Sequence, residues 1–187
     1  MNITESTIPD VKLIQPHRHV DSRGWLAETW RRSELVAAGI NLDWAQENLV
    51  YSAAPATLRG FHFQAPPQAQ GKFILVLRGA IFDVAVDIRR GSPYFGRHVA
   101  MTIGDERPAQ IWIPAGFAHA YLTLKPDTQI LYRVTAPYAP ESERGFRWDD
   151  PSLAVDWPMA GKILLNDRDK ALPPFSTLIS PFSYDKS

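Results

Sequence analysis

Proline and glycine interrupt this chain so often that a long helix has almost no room to form. The 187 residues contain 16 prolines and 11 glycines, scattered rather than clustered. Proline ends a helix because it lacks an amide donor and clashes with the preceding turn, and glycine weakens a helix through its backbone freedom. Short strands separated by turns are therefore expected to dominate the fold.

The stretch 79-GAIFDVAVDIRRGSP-93 is typical of a strand. Four apolar residues recur at every second position, which places them on one face, and two aspartates fall on the other face. The apolar residues are Phe82, Val84, Val86 and Ile88, and the aspartates are Asp83 and Asp87. Five more predicted strands are 73-FILVLRG-79, 97-RHVAMTI-103, 110-QIWIP-114, 118-AHAYLTL-124 and 129-QILYRVT-135. A strand every ~8–12 residues with turns between them favours a sandwich or a barrel.

Helix is expected only in 31-RRSELVAAGI-40, which ends at Gly39, with another turn or two around 140-PESERG-145. From Pro158 the periodicity fades, which predicts a wrapped tail with a short helical piece. No repeat, low-complexity segment or linker divides the chain. We therefore expect a single domain over residues 1–187, with a core over about 10–158 and a C-terminal tail over 159–187.

Charge and cysteine content exclude several classes of function. Twenty basic residues balance twenty acidic ones, so no broad positive field is available for nucleic acid or an anionic membrane. Cysteine is absent, which excludes disulfides, thiolate metal sites and cysteine nucleophiles. The N-terminal segment lacks the pattern of a secretory signal, and no stretch approaches the ~18 apolar residues of a membrane span. We expect a soluble, cytoplasmic protein.

The segment 58-LRGFHFQAPPQAQGK-72 carries basic groups among residues that favour burial. Arg59, His62 and Lys72 lie on or beside strands, and buried charges are costly unless they are paired. A polar, anionic ligand among them would explain their presence. The alternative is that His62 is a packed histidine with satisfied ring nitrogens, while Arg59 and Lys72 are solvated at the surface or at a strand edge.

The stretch 112-WIPAGFAHAYLTL-124 contains Pro-x-Gly-x-x-His between apolar residues and resembles the second sequence motif of cupins. The resemblance implies a hairpin turn after which His119 points into a barrel. Many cupins bind a metal through a first motif that contains His-x-His and a glutamate. Here the first motif is 62-HFQ-64, in which Gln64 replaces the second histidine. A metal needs three or four ligands, and His62 and His119 alone do not supply them. We expect no metal, and a metal-dependent cupin stays as an alternative that elemental analysis would decide.

Seven blocks in the chain occur in a characteristic order. They are 21-DSRGWLAETW-30, 46-QEN-48, 58-LRGFHFQ-64, Lys72, 79-GAIFDVAVDIRRGSPYFG-96, 112-WIPAGFAHAYLTL-124 and 143-ERGFRWDDPSLAVDWP-158. Together they closely resemble dTDP-4-dehydrorhamnose 3,5-epimerases, the cupin-fold sugar-nucleotide epimerases. The resemblance runs from about Asp10 to about Pro173. It implies an all-β fold, a cupin or double-stranded β-helix (jelly-roll) barrel with short peripheral helices.

The resemblance also implies roles for individual residues. His62 matches the general base, Asp169 the carboxylate that pairs with it, and Tyr132 the general acid on the opposite face of the sugar. Lys72 matches a lysine near the carbonyl oxygen. The residues that match substrate-binding positions are Arg23, Glu28, Gln46, Asn48, Arg59, His119 and Tyr138.

These residue types suit proton abstraction beside a ketone. The protons on C3 and C5 of a 4-keto-6-deoxyhexose both lie α to the C4 carbonyl, so removing either gives an enolate. A histidine is a base of near-neutral strength, a carboxylate on its other nitrogen stabilises the imidazolium, and a lysine stabilises the enolate oxygen. Strand alternation gives Tyr132 the same facing as Ile130 and Val134, towards a barrel interior. The chemistry requires no cofactor, and the expected reaction converts dTDP-4-dehydro-6-deoxy-D-glucose to dTDP-4-dehydro-L-rhamnose.

Other interpretations stay open. Taken alone, Tyr132 is equally well a core tyrosine, and Asp169 a solvated carboxylate in the tail. The chain departs from the family pattern at Ala120, where glycine is usual, and at Tyr121, where phenylalanine is common. These departures leave the nucleotide base, the sugar and the number of inverted carbons undecided. A single-carbon epimerase of another nucleotide sugar, or a cupin that binds a sugar nucleotide without turning it over, stays an alternative.

The resemblance further implies an assembly. It suggests a homodimer in which N-terminal strands are exchanged, so that residues near Arg23 and Glu28 complete the neighbour's pocket. The expected ligand is a nucleoside-diphosphate sugar, and neither nucleic acid nor a membrane is expected as a partner.

Overall fold

The computed structural model describes residues 1–40, 43–106, 109–158 and 161–184. The strands in these ranges are β1 (Asn2–Glu5), β2 (Lys12–Gln15), β3 (Arg18–Asp21), β4 (Gly24–Ala27), β5 (Gln46–Ser52), β6 (Leu58–Gln64), β7 (Lys72–Arg78), β8 (Ala80–Asp87), β9 (His98–Gly104), β10 (Gln110–Ile113), β11 (Phe117–Thr123), β12 (Thr128–Val134) and β13 (Glu143–Gly145). The helices are α1 (Arg32–Ala37), α2 (Asp167–Lys170) and a 3₁₀ turn (Phe175–Thr177). In the same ranges, no helix has the length and apolar character needed to cross a membrane.

Two antiparallel sheets make up most of the molecule. The larger sheet has six strands in the order β1-β2-β10-β7-β12-β5, and the smaller has five in the order β13-β6-β11-β8-β9. β3 and β4 form a separate hairpin. From β9 to β13 the chain changes sheet at every connection, which is the winding of a jelly roll.

The two sheets face each other across one apolar core. Ile74, Ile111 and Ile130 of the larger sheet pack in the same cluster as Ile81 and Ile103 of the smaller one, and all five are at most 3% exposed. Burial of these branched side chains supplies the main favourable free energy of folding, since each fully buried aliphatic residue contributes about 1.5–3 kcal/mol.

The smaller sheet is also covered on its outer face. Val84 and Val86 of β8 pack there against Phe146, and the tail adds Phe175 and Phe182. Both faces of β8 are therefore buried, although one of them carries two aspartates.

The two aspartates of β8 are buried because each has a cationic or polar partner. Asp83 is 2% exposed and Asp87 is not exposed at all. Asp87 accepts from the Arg89 guanidinium at 2.6 Å, and Asp83 lies 2.7 Å from the His119 ring. Such pairing offsets the cost of removing a carboxylate from water.

The structure confirms the all-β prediction. The five strands predicted at 73–79, 97–103, 110–114, 118–124 and 129–135 form β7, β9, β10, β11 and β12, with each end shifted by at most one residue. The helix predicted over 31–40 forms over Arg32–Ala37, and Gly39 follows it with a φ of +80°. The pattern does not single out β1 to β5, nor β13, which forms within the turn predicted at 140–145. β1 to β4 and β13 have three or four residues each, so few residues display the alternation that would reveal them, whereas the polar residues at the start of the seven-residue β5 conceal it.

The predicted tail runs along the smaller sheet. It contains α2 and the 3₁₀ turn, and isolated bridges join Thr57 to Leu164 and Arg90 to Ser183. Residues 159–160 and 185–187 of that prediction lie outside the described residues.

Candidate active site

A cavity of about 400 Å³ opens between the two sheets, in the size range of small-ligand pockets. The smaller sheet contributes one wall through β6 and β11, and the larger sheet contributes the other through β5, β7 and β12. The wall of β6 and β11 includes Arg59, His62, His119 and Tyr121. The wall of β5, β7 and β12 includes Gln46, Asn48, Lys72, Ile74 and Tyr132. Groups on the two walls therefore approach a ligand from opposite sides.

His62 and Asp169 form a close pair. The His62 Nε2 atom lies 2.8 Å from Asp169 Oδ1, and the two side chains are 27% and 1% exposed. The amide of Gly60 donates to the second carboxylate oxygen at 3.2 Å. Burial works against ionisation of Asp169, but the hydrogen bond and charge of His62 and the Gly60 amide hold its pKa below the usual value. An ionised carboxylate only accepts hydrogen bonds, so Nε2 carries the hydrogen of this pair.

The C-terminal tail brings Asp169 to a histidine 107 residues away in sequence. Leu58 at the start of β6 donates its amide to the Leu164 carbonyl at 3.0 Å, which anchors the tail beside that strand. Asn166 then caps α2, its side chain accepting the Asp169 amide at 2.6 Å. Capping by an asparagine satisfies an amide that the helix itself leaves free. This local geometry points the Asp169 carboxylate at β6.

Close packing of β6 on β11 requires Gly60. Its φ of +120° belongs to a region that side chains rarely adopt, and an added Cβ would lie 2.5 Å from the His119 carbonyl oxygen. A larger residue would push the two strands apart and displace both His62 and His119, which are register partners across them. The glycine therefore fixes the spacing of this wall.

Tyr132 lies on the opposite wall. It pairs with Asn48 of β5 and Ile74 of β7, and it lies on the same side of β12 as the buried Ile130 and Val134. This confirms the facing expected from strand alternation. Burial raises the pKa of Tyr132, while the Arg59 guanidinium opposes the rise. The phenol therefore keeps its proton near neutral pH.

Lys72 begins β7 on the same wall as Tyr132. Its side chain is half-buried, and its Nζ atom donates to the Gln70 side-chain oxygen at 3.3 Å. Burial lowers the pKa of Lys72 to about 8, and the carboxylate of Glu143 opposes part of this fall. Lys72 is thus a cation within the cavity at neutral pH, and not a solvated edge residue.

His119 has its own buried carboxylate. Its Nε2 atom lies 2.7 Å from Asp83 Oδ2, and the two side chains are 10% and 1% exposed. The two histidines of this wall, His62 and His119, therefore each pair with a buried carboxylate, Asp169 and Asp83. The period-two sequence pattern correctly predicts which face of β8 carries Asp83, but it does not identify His119 as the partner of this carboxylate.

The cavity mouth carries polar groups tied to one another. The Gln46 side chain donates to Asn48 at 2.7 Å and accepts the Tyr138 amide at 2.9 Å. The Tyr138 hydroxyl donates to Glu143 at 2.6 Å, yet 51% of this residue is exposed. An exposed aromatic ring held at a cavity rim offers a flat surface on which a nucleobase can stack.

Nine of the predicted site residues line this cavity, and two do not. Arg23 and Glu28 lie outside it: Arg23 pairs with Asp21 at 2.7 Å with 88% of its side chain exposed, and Glu28 pairs with Arg31 at 2.7 Å. Nine further residues line the cavity that the sequence did not assign to the site, and five of them are polar: Gln64, Gln70, Tyr121, Glu143 and Asn166. Glu143 and Tyr121 fall within the sequence blocks that carry the family resemblance. Those blocks drew attention to both residues but gave no reason to place them in the site.

Metal-binding groups are not concentrated anywhere in the part of the chain that the structure describes. There, no cluster of three or more His, Cys, Asp or Glu side chains has the arrangement of a metal site. His62 and His119 are each occupied by one aspartate.

Comparison with known proteins identifies the family. Residues 5–177 match the family model of dTDP-4-dehydrorhamnose 3,5-epimerase. A dTDP-4-dehydrorhamnose 3,5-epimerase of Sinorhizobium fredii is 44% identical over 180 residues, which cover 96% of this chain and 92% of that protein.

Solved structures agree with the sequence comparison. The dTDP-6-deoxy-D-glucose-3,5-epimerase RmlC of Legionella pneumophila, in complex with dTDP-4-keto-L-rhamnose, superposes with a TM-score of 0.93 at 38% identity over 99% of each chain. The 3'-monoepimerase ChmJ of Streptomyces bikiniensis, in complex with dTDP-quinovose, has a TM-score of 0.86 at 35% identity, covering 92% of this chain and 86% of that one. The fold is thus the cupin barrel of these enzymes, and the chain belongs to the dTDP-4-dehydrorhamnose 3,5-epimerase family of carbohydrate epimerases.

Proposed function

We propose that this protein is a cofactor-independent epimerase that converts dTDP-4-dehydro-6-deoxy-D-glucose to dTDP-4-dehydro-L-rhamnose. The observation that carries the proposal is the cavity in which a histidine–aspartate pair faces a tyrosine and a lysine from the opposite sheet. The ligand in the Legionella pneumophila relative is the product expected of this reaction.

His62 is the proposed base. Since Nε2 holds the hydrogen shared with Asp169, Nδ1 is the nitrogen that takes a proton from C3 or C5 of the sugar. The imidazolium that forms is stabilised by the ionised Asp169, whose pKa is held below its usual value. The carboxylate thus acts when the positive charge develops, in the transition state rather than in the resting enzyme.

Lys72 and Tyr132 are proposed to complete the reaction. Removal of the proton leaves negative charge on the C4 oxygen, and the Lys72 ammonium is the cation of the opposite wall that stabilises it. Inversion requires a new proton from the other face of the ring. Tyr132 stands on the sheet opposite His62 and keeps its proton near neutral pH, so it supplies that proton.

The remaining cavity residues are proposed to bind the nucleotide. Arg59 and His119 meet the anionic diphosphate, Gln46 and Asn48 provide hydrogen bonds, and Tyr138 stacks on the base. Arginine suits this task because its planar donors match two phosphate oxygens.

We also propose a cytoplasmic homodimer built from single-domain chains. The β3–β4 hairpin exposes Val20, Trp25 and Leu26 to 77%, 56% and 70%, which is a large apolar surface for a segment outside both sheets. A second copy would cover it and would explain why Arg23, in the turn of that hairpin, lies outside its own chain's cavity. The absence of cysteine suits a reducing compartment.

A single-carbon epimerase is the second candidate. Its support is the similarity to ChmJ, a 3'-monoepimerase, at 35% identity. The two candidates differ in one measurable respect, the number of carbon-bound protons exchanged with solvent. Incubation with dTDP-4-keto-6-deoxyglucose in deuterium oxide, followed by NMR, tests both. Deuterium at C3 and C5 supports the first candidate, deuterium at one carbon supports the second, and no deuterium at either carbon rejects both.

A further inference from the structure

The cavity contains a buried hydroxyl that the proposed chemistry does not use. Tyr121 lies on β11, two residues after His119 and on the same side of the strand, and it lines the cavity. The residue is 7% exposed, and its buried hydroxyl oxygen makes no hydrogen bond of good geometry with the groups that the structure describes, although the Arg59 guanidinium lies near it. Leaving a polar group in this condition is unfavourable, so such groups commonly have a functional explanation.

The position of Tyr121 points to the group it serves. Its register partner across the strands is Arg59 on β6, and the partner on the other side is Asp83 on β8. Asp83 is already engaged by His119 at 2.7 Å. Arg59 is exposed and lines the cavity. Burial raises the pKa of Tyr121, and the Arg59 guanidinium opposes this rise both through its charge and through its approach to the hydroxyl.

We propose that Tyr121 is a positioning residue for Arg59. When a diphosphate occupies the cavity, the Tyr121 hydroxyl accepts a hydrogen bond from the guanidinium and holds it against the phosphate oxygens. The hydroxyl thereby gains a well-formed hydrogen bond, and the long arginine side chain is fixed in one orientation. The inference rests on the proposed function, since it requires a nucleoside diphosphate in the cavity.

The chemistry of a phenol makes this assignment specific. A phenylalanine at this position would fill the same volume but would offer no acceptor to Arg59. The hydroxyl accepts through its lone pairs, whereas the guanidinium has only donors, so the pair is complementary. Fixing a flexible cation before it meets its ligand increases affinity because less freedom is lost on binding.

The test is calorimetric titration of the full-length protein with dTDP. Tyr121→Phe should bind dTDP about tenfold more weakly than the wild type, which corresponds to about 1.4 kcal/mol. In turnover the same variant should raise KM and leave kcat nearly unchanged. Its melting temperature without ligand should not fall, because the substitution removes an unsatisfied buried hydroxyl. Tyr94→Phe is the matched control, since Tyr94 packs against the core outside the cavity, and it should bind dTDP as the wild type does.

A double-mutant cycle with Arg59→Ala shows whether Tyr121→Phe weakens dTDP binding through Arg59. If Tyr121 acts through Arg59, Tyr121→Phe should weaken dTDP binding little further once the guanidinium is absent. An undiminished tenfold loss in that background would overturn the inference, as would unchanged dTDP affinity of the single variant or a lowered melting temperature without ligand. If the wild-type protein itself does not bind dTDP, the proposed function fails and this inference with it. Wild-type binding with an unaffected Tyr121→Phe variant rejects the inference alone.

Discussion

Replacing Asp169 with asparagine tests how the proposed base is activated. The substitution keeps the size of the side chain and removes one negative charge at a position that is 1% exposed and 2.8 Å from His62. An asparagine oxygen can still accept from the histidine ring. The side-chain amide, however, then faces the Gly60 amide, which donates to Asp169 in the wild type, so two donors meet.

The expected loss of rate follows from the charge. An imidazolium and a carboxylate whose charge centres are about 4 Å apart attract by about 4 kcal/mol at an effective dielectric constant of about 20. This attraction arises only as His62 takes up the proton, so it lowers the barrier rather than the energy of the bound substrate. A loss of about 4 kcal/mol corresponds to about a thousandfold in rate, and the asparagine dipole restores part of it. We expect kcat to fall by about 10²–10³-fold.

The measurement is the initial rate of deuterium incorporation into the keto sugar, with dTDP affinity measured beside it. Affinity should change little, because Asp169 does not face the nucleotide in the proposed arrangement. The free energy of unfolding should fall by about 1–3 kcal/mol, because the buried backbone amide of Gly60 loses its acceptor. An exchange rate within a factor of a few of the wild type, in a folded variant that binds dTDP, would refute the proposed role of the carboxylate.

Further predictions concern the opposite wall, acid stability and assembly. Tyr132→Phe should retain proton abstraction by His62 but slow or redirect reprotonation, so NMR should detect a changed product ratio; an unchanged rate and ratio would exclude Tyr132 as the acid. Because burial lowers the pKa of Lys72 to about 8, kcat/KM should fall as pH rises through that value and Lys72 loses its charge, whereas Lys72→Arg should move this fall upward by more than about one pH unit. The Asp169 contribution to the free energy of unfolding should be fully present above pH 3.8 and be lost as pH falls through its lowered pKa, and a pH series of denaturant titrations should detect a smaller acid loss in Asp169→Asn. Light scattering should give a dimer for the wild type and a monomer for Trp25→Asp on the exposed hairpin, and a monomeric wild type would contradict the proposed assembly.

Strands and facing were predictable because they depend on local pattern. Tyr132 shares its face with Ile130 and Val134, and period-two alternation alone places all three towards the interior. The same rule puts Asp83 and Asp87 together on one face of β8. What the rule does not provide is the environment of each face, and both faces of β8 proved to be buried.

The pairing of distant residues was not predictable from the pattern. Asp169 reaches His62 across 107 residues through a tail that has almost no periodicity, and only the family resemblance indicated the pair. The partnership of His119 with Asp83 depends on the register between β11 and β8, which is a tertiary property. Glu143 likewise enters the cavity because a three-residue strand pairs with the edge of β6.

The unpartnered Tyr121 hydroxyl could not be found from sequence at all. A tyrosine in an apolar strand is usually a core residue whose hydroxyl is satisfied, and only the packing around it reveals otherwise. Arg23 and Glu28 show the opposite case: the resemblance predicts them as site residues, but they lie outside the cavity of this chain.

Proton exchange by a His62 variant tests the central proposal most directly. Wild-type protein and His62→Asn are incubated with dTDP-4-keto-6-deoxyglucose in deuterium oxide, and the C3 and C5 signals are followed by NMR. We expect the wild type to lose both signals and the folded variant, which still binds dTDP, to retain both. Loss of either signal at the wild-type rate in the variant would show that another group removes the proton.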